Sequence, residues 1–217
     1  MSLVKIQSNA SGTGTLTIAA PNTNTDRTLT LPDATGTIIT TAGGAAISGT
    51  TGAFTTTVGV GGATPAASGA GITFPATASA SSDANTLDDY EEGTWTPTVL
   101  FSTSNGDRSY FYQVGRYVKI GNLVHVQGYL QFSESTASGN LTIGGLPFTS
   151  SSVSLNYSSG TIYGNSLTGL SGQIQFLIDS SATSMIVYYS GTGSRTQLTN
   201  SNTGSSSDFS FSVCYQT

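Results

Sequence analysis

Apolar side chains recur at every second position through much of the C-terminal half of the chain. Tyr112, Val114, Val118 and Ile120 fall on one face of an extended segment, and Val124, Val126, Leu130 and Phe132 on one face of the next. Phe209, Phe211, Val213 and Tyr215 repeat the pattern against Ser210, Ser212, Cys214 and Gln216. A period of two marks a strand with one buried face. Strands are predicted over residues 94–101, 110–120, 124–133, 140–144, 153–157, 160–164, 173–178, 184–190 and 207–216. Gly, Asn and Ser clusters separate them at the spacing of an all-β sandwich or barrel. No segment carries a helical period.

The first hairpin can be placed in register from its apolar residues, which must share the buried face. A two-residue Gly121-Asn122 turn sets the two apolar rows on opposite faces. A three-residue loop, Gly121-Asn122-Leu123 with a bulge residue in the left-handed region, pairs Ile120 with Val124, Val118 with Val126, Val114 with Leu130 and Tyr112 with Phe132. The three-residue loop is therefore expected. It places Arg116 opposite Gly128 on the inner face, with room there for the arginine stem or for an aromatic such as Trp95. It places His125 on the outer face beside Lys119, among Gln127, Tyr129 and Gln131.

The N-terminal part is patterned differently. Leu16/Ile18, Leu29/Leu31 and Ile38 alternate with Thr, and Pro21-Asn22, Leu31-Pro32-Asp33 and Ala42-Gly43-Gly44 interrupt them with turn residues. Each short strand has too few apolar residues to persist as an isolated sheet. Only Phe54 and Phe74 precede Tyr90 among the aromatic residues, so this half has little with which to build a core. Three copies wound about one axis would supply the missing core. Leu16, Ile18, Leu29, Leu31, Ile72 and Phe74 are the candidate axis-facing residues. The alternative for residues 42–70 is a low-complexity linker. The predicted architecture is all-β: an extended trimeric N-terminal stalk with short strands and a C-terminal antiparallel β-sandwich or jelly-roll-like head. Its parts are an attachment and repeat segment over residues 1–45, a Gly/Ala/Ser/Thr-rich stalk with an acidic joint over 46–92, and the head over 93–217.

Composition sharpens this picture. The chain has 217 residues, with 33 Ser and 35 Thr, and only 8% of residues are charged. Hydroxyls occupy the surface positions that Lys and Glu fill elsewhere, which suits a β-rich protein rather than charge-rich disorder. The formal net charge of -5 comes from Asp83, Asp88, Asp89, Glu91 and Glu92, the charges on either side cancelling. No basic face of the kind that binds nucleic acid is present. The start of the chain has no secretory apolar segment, and no apolar run reaches the length of about 20 residues needed to span a membrane. Synthesis in a cytoplasm is the expectation, with no membrane insertion.

Little in the sequence points to chemistry. His125 and Cys214 are the single histidine and cysteine, too few for a His/Cys metal site within one chain. The carboxylates of Asp88-Asp89-Tyr90-Glu91-Glu92 are the right type for glycoside hydrolysis, which needs two held roughly 5–9.5 Å apart. Their position between the two halves favours a solvated hinge or collar instead, and they lack the spacing of a calcium loop. No catalytic residue, metal or cofactor is expected. Binding residues are sought on the loops of the head. Asn105, Asp107 and Arg108 lie on one, and Arg195, Gln197, Asn200 and Asn202 on another. Tyr188 or Tyr189, whichever points outward, is a candidate stacking surface, and Trp95 a core anchor where the stalk enters the head.

Several runs resemble known proteins. GVGGATPAASGAGITFP (Gly59–Pro75) and NTLDDYEEGTWTP (Asn85–Pro97) are similar to the stalk-to-head passage of tail-fibre and related structural proteins of tailed phages, marine and cyanobacterial ones especially. GRYVKIGNLVHVQGYL (Gly115–Leu130) and LTIGGLPF (Leu141–Phe148) resemble head domains of the same group. LTIAAPNTNTDRTLTLPDATGTIIT (Leu16–Thr40) resembles repeats near the start of many such fibres. The resemblance implies a homotrimeric fibre on a virion, attached to other virion proteins by its N-terminal end. Its head would face outward towards a host-surface glycan or protein. The alternative reading is a head fibre, capsid decoration or adaptor protein without a receptor-binding role, and a second alternative is a polysaccharide-cleaving spike. The last strand carries four of the head's core residues, so deleting residues 209–217 is expected to abolish folding or trimerisation. Soluble trimers of the truncated chain in size-exclusion chromatography would contradict this.

Overall fold

The computed structural model describes residues 57–66, 69–77, 81–83, 85–191 and 193–217, together with Ser11, Thr13, Asn24 and Asp26. The chain divides into two compact units, Met1–Gly52 and Ala53–Thr217. Every element described here belongs to the second. Leu16, Ile18, Leu29 and Leu31 lie outside the described residues, as do the short strands expected around them.

Among the described residues the fold is all-β apart from one 3-10 turn at Asn200–Asn202. The strands are β1 (Thr57–Gly59), β2 (Gly71–Thr73), β3 (Tyr90–Trp95), β4 (Thr98–Phe101), β5 (Arg108–Ile120) and β6 (Leu123–Glu134). They continue with β7 (Leu141–Gly144), β8 (Thr161–Asn165), β9 (Gln173–Ile178), β10 (Ser184–Ser190), β11 (Arg195–Gln197) and β12 (Ser207–Gln216). β1 and β2 form a small parallel pair, Val58 opposite Ile72. Ile72 is exposed there, and Phe74 is half-buried with its ring 6.5 Å from that of Tyr90.

Two five-stranded antiparallel sheets make up the rest. The first runs β3-β5-β6-β12-β8. In the second, β10 pairs with β9 and also with β7 and β11, and β7 pairs with β4. One apolar core draws on both sheets. Trp95, Leu130, Phe132, Phe209 and Phe211 come from the first; Val99, Ile143, Phe176, Met185 and Val187 come from the second. Burying a side chain of this size contributes about 1.5–3 kcal/mol, so these residues dominate the stability of the domain.

Strands β9, β10 and β12 coincide with the predicted spans, and β5, β6, β7 and β8 differ by one or two residues at an end. The single strand expected over residues 94–101 is two. β3 ends at Trp95 and β4 begins at Thr98, and they sit in different sheets. Pro97, which has no N–H for a ladder, marks the crossing. Residues 153–157 form a turn, with the Asn156 N–H donating to the Val153 carbonyl and Leu155 at φ 64°.

The hairpin register differs from the expected one. Gly121-Asn122 is a two-residue turn with its positive φ (54°) on Gly121, the first position, where a type II′ turn needs glycine. Ile120 pairs with Leu123, Lys119 with Val124, Tyr117 with Val126 and Arg116 with Gln127. A bulge at Phe111 then lets Tyr110 face Phe132. The apolar row Tyr112, Val114 and Ile120 therefore points away from the core and is exposed.

What fills the inner face of β5 explains this choice. Gly115 and Gly128 are directly opposite each other. A Cβ at Gly115 would stand 2.6 Å from Trp95 Nε1, and one at Gly128 would stand 2.5 Å from Phe211 Cζ. The two aromatic rings occupy the space that two side chains would take, with centroids 5.9 Å apart. Either side of them, long amphipathic residues reach across to the second sheet. The Tyr110 hydroxyl accepts from the Val99 N–H at 2.9 Å, and Gln113 Nε2 donates to the Pro97 carbonyl at 2.8 Å. At the C-terminal strand, the Tyr215 hydroxyl donates to the Phe148 carbonyl at 2.9 Å, and burial pushes its pKa up to about 12.

Phe211 is locked in the core and cannot yield to an added methyl. Gly128→Ala is expected to destabilise the domain by about 1–3 kcal/mol, read as a lower urea midpoint with an unchanged slope.

Candidate functional site

The first sheet buries one face and presents the other to solvent. Its register arranges the outward side chains in rows across four strands. Val114, Tyr129, Ser210 and Tyr163 form one row on β5, β6, β12 and β8. Arg116, Gln127, Ser212 and Thr161 form the next. The middle strand β12 contributes only serines to these rows, while Tyr129 and Gln127 rise on one side and Tyr163 and Thr161 on the other. The result is a trough over β12 of about 450 Å³. Tyr163 is 64% exposed and Val114 52%, so their apolar faces are available. Burial and the nearby Asp208 charge raise the pKa of Tyr129.

Arg116 stands out on this face. No carboxylate lies within ion-pair distance of its guanidinium among the described residues, where the one ion pair is Lys119 with Asp89. His125 lies on the same face, as expected, but opposite Val118 rather than Lys119. Its Nε2 is 3.0 Å from Ser212 Oγ. Cys214 is also outward and exposed. Beyond the tyrosine row, Asp208 Oδ2 accepts from Asn165 Nδ2 at 3.1 Å.

The loop residues singled out from sequence are used differently. Asn105 Oδ1 accepts from the Phe101 N–H at 2.9 Å, and Asn200 Oδ1 accepts from the Gly139 N–H at 3.3 Å. Both side chains satisfy backbone groups, Asn105 at the end of the preceding strand β4 and Asn200 across to the β6–β7 connection. Asp107 is exposed, and its N–H donates to Thr136 Oγ1. The Arg108 guanidinium lies 6.0 Å from the Tyr110 ring centroid. Tyr188 is the outward member of its pair, and the Arg195 guanidinium covers its ring at 4.8 Å. Tyr189 packs against the core. Arg195 and Tyr188 thus come together on the second sheet, apart from the trough on the first. Trp95 is a buried core residue.

The acidic cluster is solvated in part, as a hinge or collar would be: Asp83, Glu91 and Glu92 are exposed, and Asp89 is the exception. Asp89 is buried and pairs with Lys119, whose ammonium lies 5.7 Å from the Phe148 ring centroid. Glu91 accepts from the Tyr117 hydroxyl and Glu92 from that of Tyr90, and both bonds raise the tyrosine pKa, that of Tyr117 to about 12. Asp88 Oδ2 accepts from the Ser81 N–H, and Asp83 Oδ1 from the Asn85 N–H at 2.9 Å. The described carboxylates of this cluster each hold a different group: Asp89 and Glu91 reach β5, Glu92 bonds within β3, and Asp83 and Asp88 bond within the segment before it. Among the described residues no group of three or more His, Cys, Asp or Glu is placed to hold a metal ion, and no helix is long and apolar enough to cross a membrane.

The sequence matches no protein-family model, no curated protein and no solved structure. The trough itself was missed by reasoning that looked for sites on loops. Its signal in the sequence was the outward Ser210 and Ser212 of β12, the first between Tyr129 and Tyr163 and the second between Gln127 and Thr161, readable only once the register is known.

Asp89→Asn leaves the Lys119 ammonium with no countercharge in a largely buried position. It is expected to cost about 2–3 kcal/mol of stability, and Lys119→Met in the same chain should restore most of it in urea denaturation.

Proposed function

We propose that this chain is a subunit of a homotrimeric virion fibre of the tailed-phage type. In this reading residues before the head form a thin trimeric stalk that attaches to other virion proteins. The C-terminal domain is a sandwich or jelly-roll-like head that contributes to recognition of the host surface. The observation that carries the proposal is the outer face of the first sheet. It leaves Tyr112, Val114, Ile120, Leu123 and Tyr163 exposed, while the opposite face of the same sheet buries Leu130, Phe132, Phe209 and Phe211. Large apolar side chains left exposed on one face of a sheet suit a surface that meets another molecule.

Three further features support a binding role rather than a catalytic one. The motifs at Asn85–Pro97 and Gly115–Leu130 resemble fibre joints and heads. The acids of the joint hold structural partners. Residues before Tyr90 have too few large apolar side chains to fold on their own, which chain-to-chain packing would remedy.

Mass photometry of the full chain is expected to give a single species at three times the 22.1 kDa subunit mass. A folded monomer would overturn the trimeric reading. A particle reconstruction should place the chain on the tail with its head outward; a place on the capsid would favour a head fibre or decoration protein.

A further inference from the structure

We infer that the trough over β12 is a binding site for a saccharide chain bearing a carboxylate, with Tyr129 and Tyr163 as its walls and Arg116 as the anchor of the acidic group. This rests on the recognition role proposed above and gives it a place and a ligand chemistry.

The geometry follows from strand spacing. Tyr129 and Tyr163 occupy β6 and β8, two strand intervals apart, which is roughly 9–10 Å. Ser210 lies between them in the same row, so the gap is open above a small hydroxyl side chain. A sugar ring entering this gap meets tyrosine faces with its C–H surfaces and Ser210 with its hydroxyls. Aromatic side chains with a polar tip suit such a ligand, offering apolar area and a hydroxyl together. The adjacent row, roughly 7 Å further along the strands, offers Gln127, Ser212 and Thr161. These groups both donate and accept, as sugar hydroxyls require.

The charges decide between a neutral and an acidic saccharide. Arg116 is the charged side chain of the trough lining, and its guanidinium has no carboxylate partner among the described residues. A ligand carboxylate would complete it with a charge-assisted, two-pronged contact. Asp208, held by Asn165 on the far side of the tyrosine row, would repel the same group. Glu92, one row beyond Arg116 on the neighbouring strand β3, is the acid at that end, but it accepts from the Tyr90 hydroxyl at 2.7 Å and makes no ion pair with the guanidinium, so a ligand acid would be taken by Arg116. His125, its Nε2 3.0 Å from Ser212 Oγ, adds a further hydrogen-bonding group at the Arg116 end. A second copy of this chain is the competing occupant of the face. Its exposed carboxylates, among them Asp83, Glu91, Glu92 and Asp107, are the groups it could bring to Arg116, but a serine-floored trough is a poor fit to the flat apolar partner that a sheet face would offer.

The test uses the full chain on an array of bacterial saccharides containing carboxylate-bearing and matched neutral members. Binding should concentrate on the acidic members and weaken with added salt. Tyr163→Ala should lower it at least tenfold. Arg116→Gln should lower binding of acidic members at least tenfold while leaving neutral ones unchanged. Both residues are exposed, and urea midpoints near the parent value will show that the variants fold. Absence of any preference for acidic saccharides overturns the proposal. Acidic binding that survives both substitutions overturns the trough as its site while leaving surface recognition standing. A change in oligomeric mass on Tyr163→Ala, with no saccharide bound by the parent chain, assigns the face to a second copy and also overturns it. Absence of the chain from the particle tail would defeat the fibre reading without touching these results.

Discussion

Two glycines face each other at the centre of the longest hairpin, and the arrangement of the two sheets depends on them. Gly115 and Gly128 give up their side chains to the rings of Trp95 and Phe211. No larger residue fits either position without displacing a ring that is itself enclosed by the core. Once this pair is inward, the two-residue repeat of a strand fixes every other side chain on β5 and β6. Gln127 and Tyr129 must then point out, as must Arg116 and Val114. Through β12 the same parity reaches Ser210 and Ser212, and through β8 it reaches Tyr163. Core packing on one side of the sheet thus dictates the chemistry displayed on the other.

The sequence was a good guide where apolar residues alone occupied the buried face. β12 alternates Phe209, Phe211, Val213 and Tyr215 with small or polar residues, and β6 buries Val124, Val126, Leu130 and Phe132 as its pattern indicated. β5 misled because its more apolar row is the outer one. Its inner row is Tyr110, Gln113, Gly115, Tyr117 and Lys119, which reads as polar. Each of its long members lays an apolar stem on the core and carries its polar end to a partner at the rim: Val99, Pro97, Glu91 and Asp89 respectively. A pattern that scores residues as simply apolar or polar cannot register this. The informative signal was the Gly-Asn turn, whose natural two-residue length puts Gly115 against Gly128.

The functional residues were legible to a smaller degree, for a related reason. Loops attract attention because they tolerate change, but Asn105 and Asn200 are consumed by backbone groups at the end of a strand and in a connection. Regular strands have already satisfied their backbone groups, so their outward side chains are free for other work. The acids of the joint were visible as a cluster, whereas their separate partners, from Ser81 to Lys119, become visible only in three dimensions.

The position of β12 also has a kinetic meaning. It inserts between β6 and β8, pairing Leu130 with Phe209 and Ile162 with Phe211. Until it arrives, β6 and β8 each present an open edge, and the long ladder of β6 has nothing to pair with on that side. Closing the sheet requires contacts across some eighty residues, the kind of topology that folds slowly. During that interval a second copy offers an equivalent strand to each open edge. Chains made close together on the same message are therefore exposed to exchanging this strand, and the rate at which β12 finds its own sheet governs whether neighbours assemble as intact domains or become entangled.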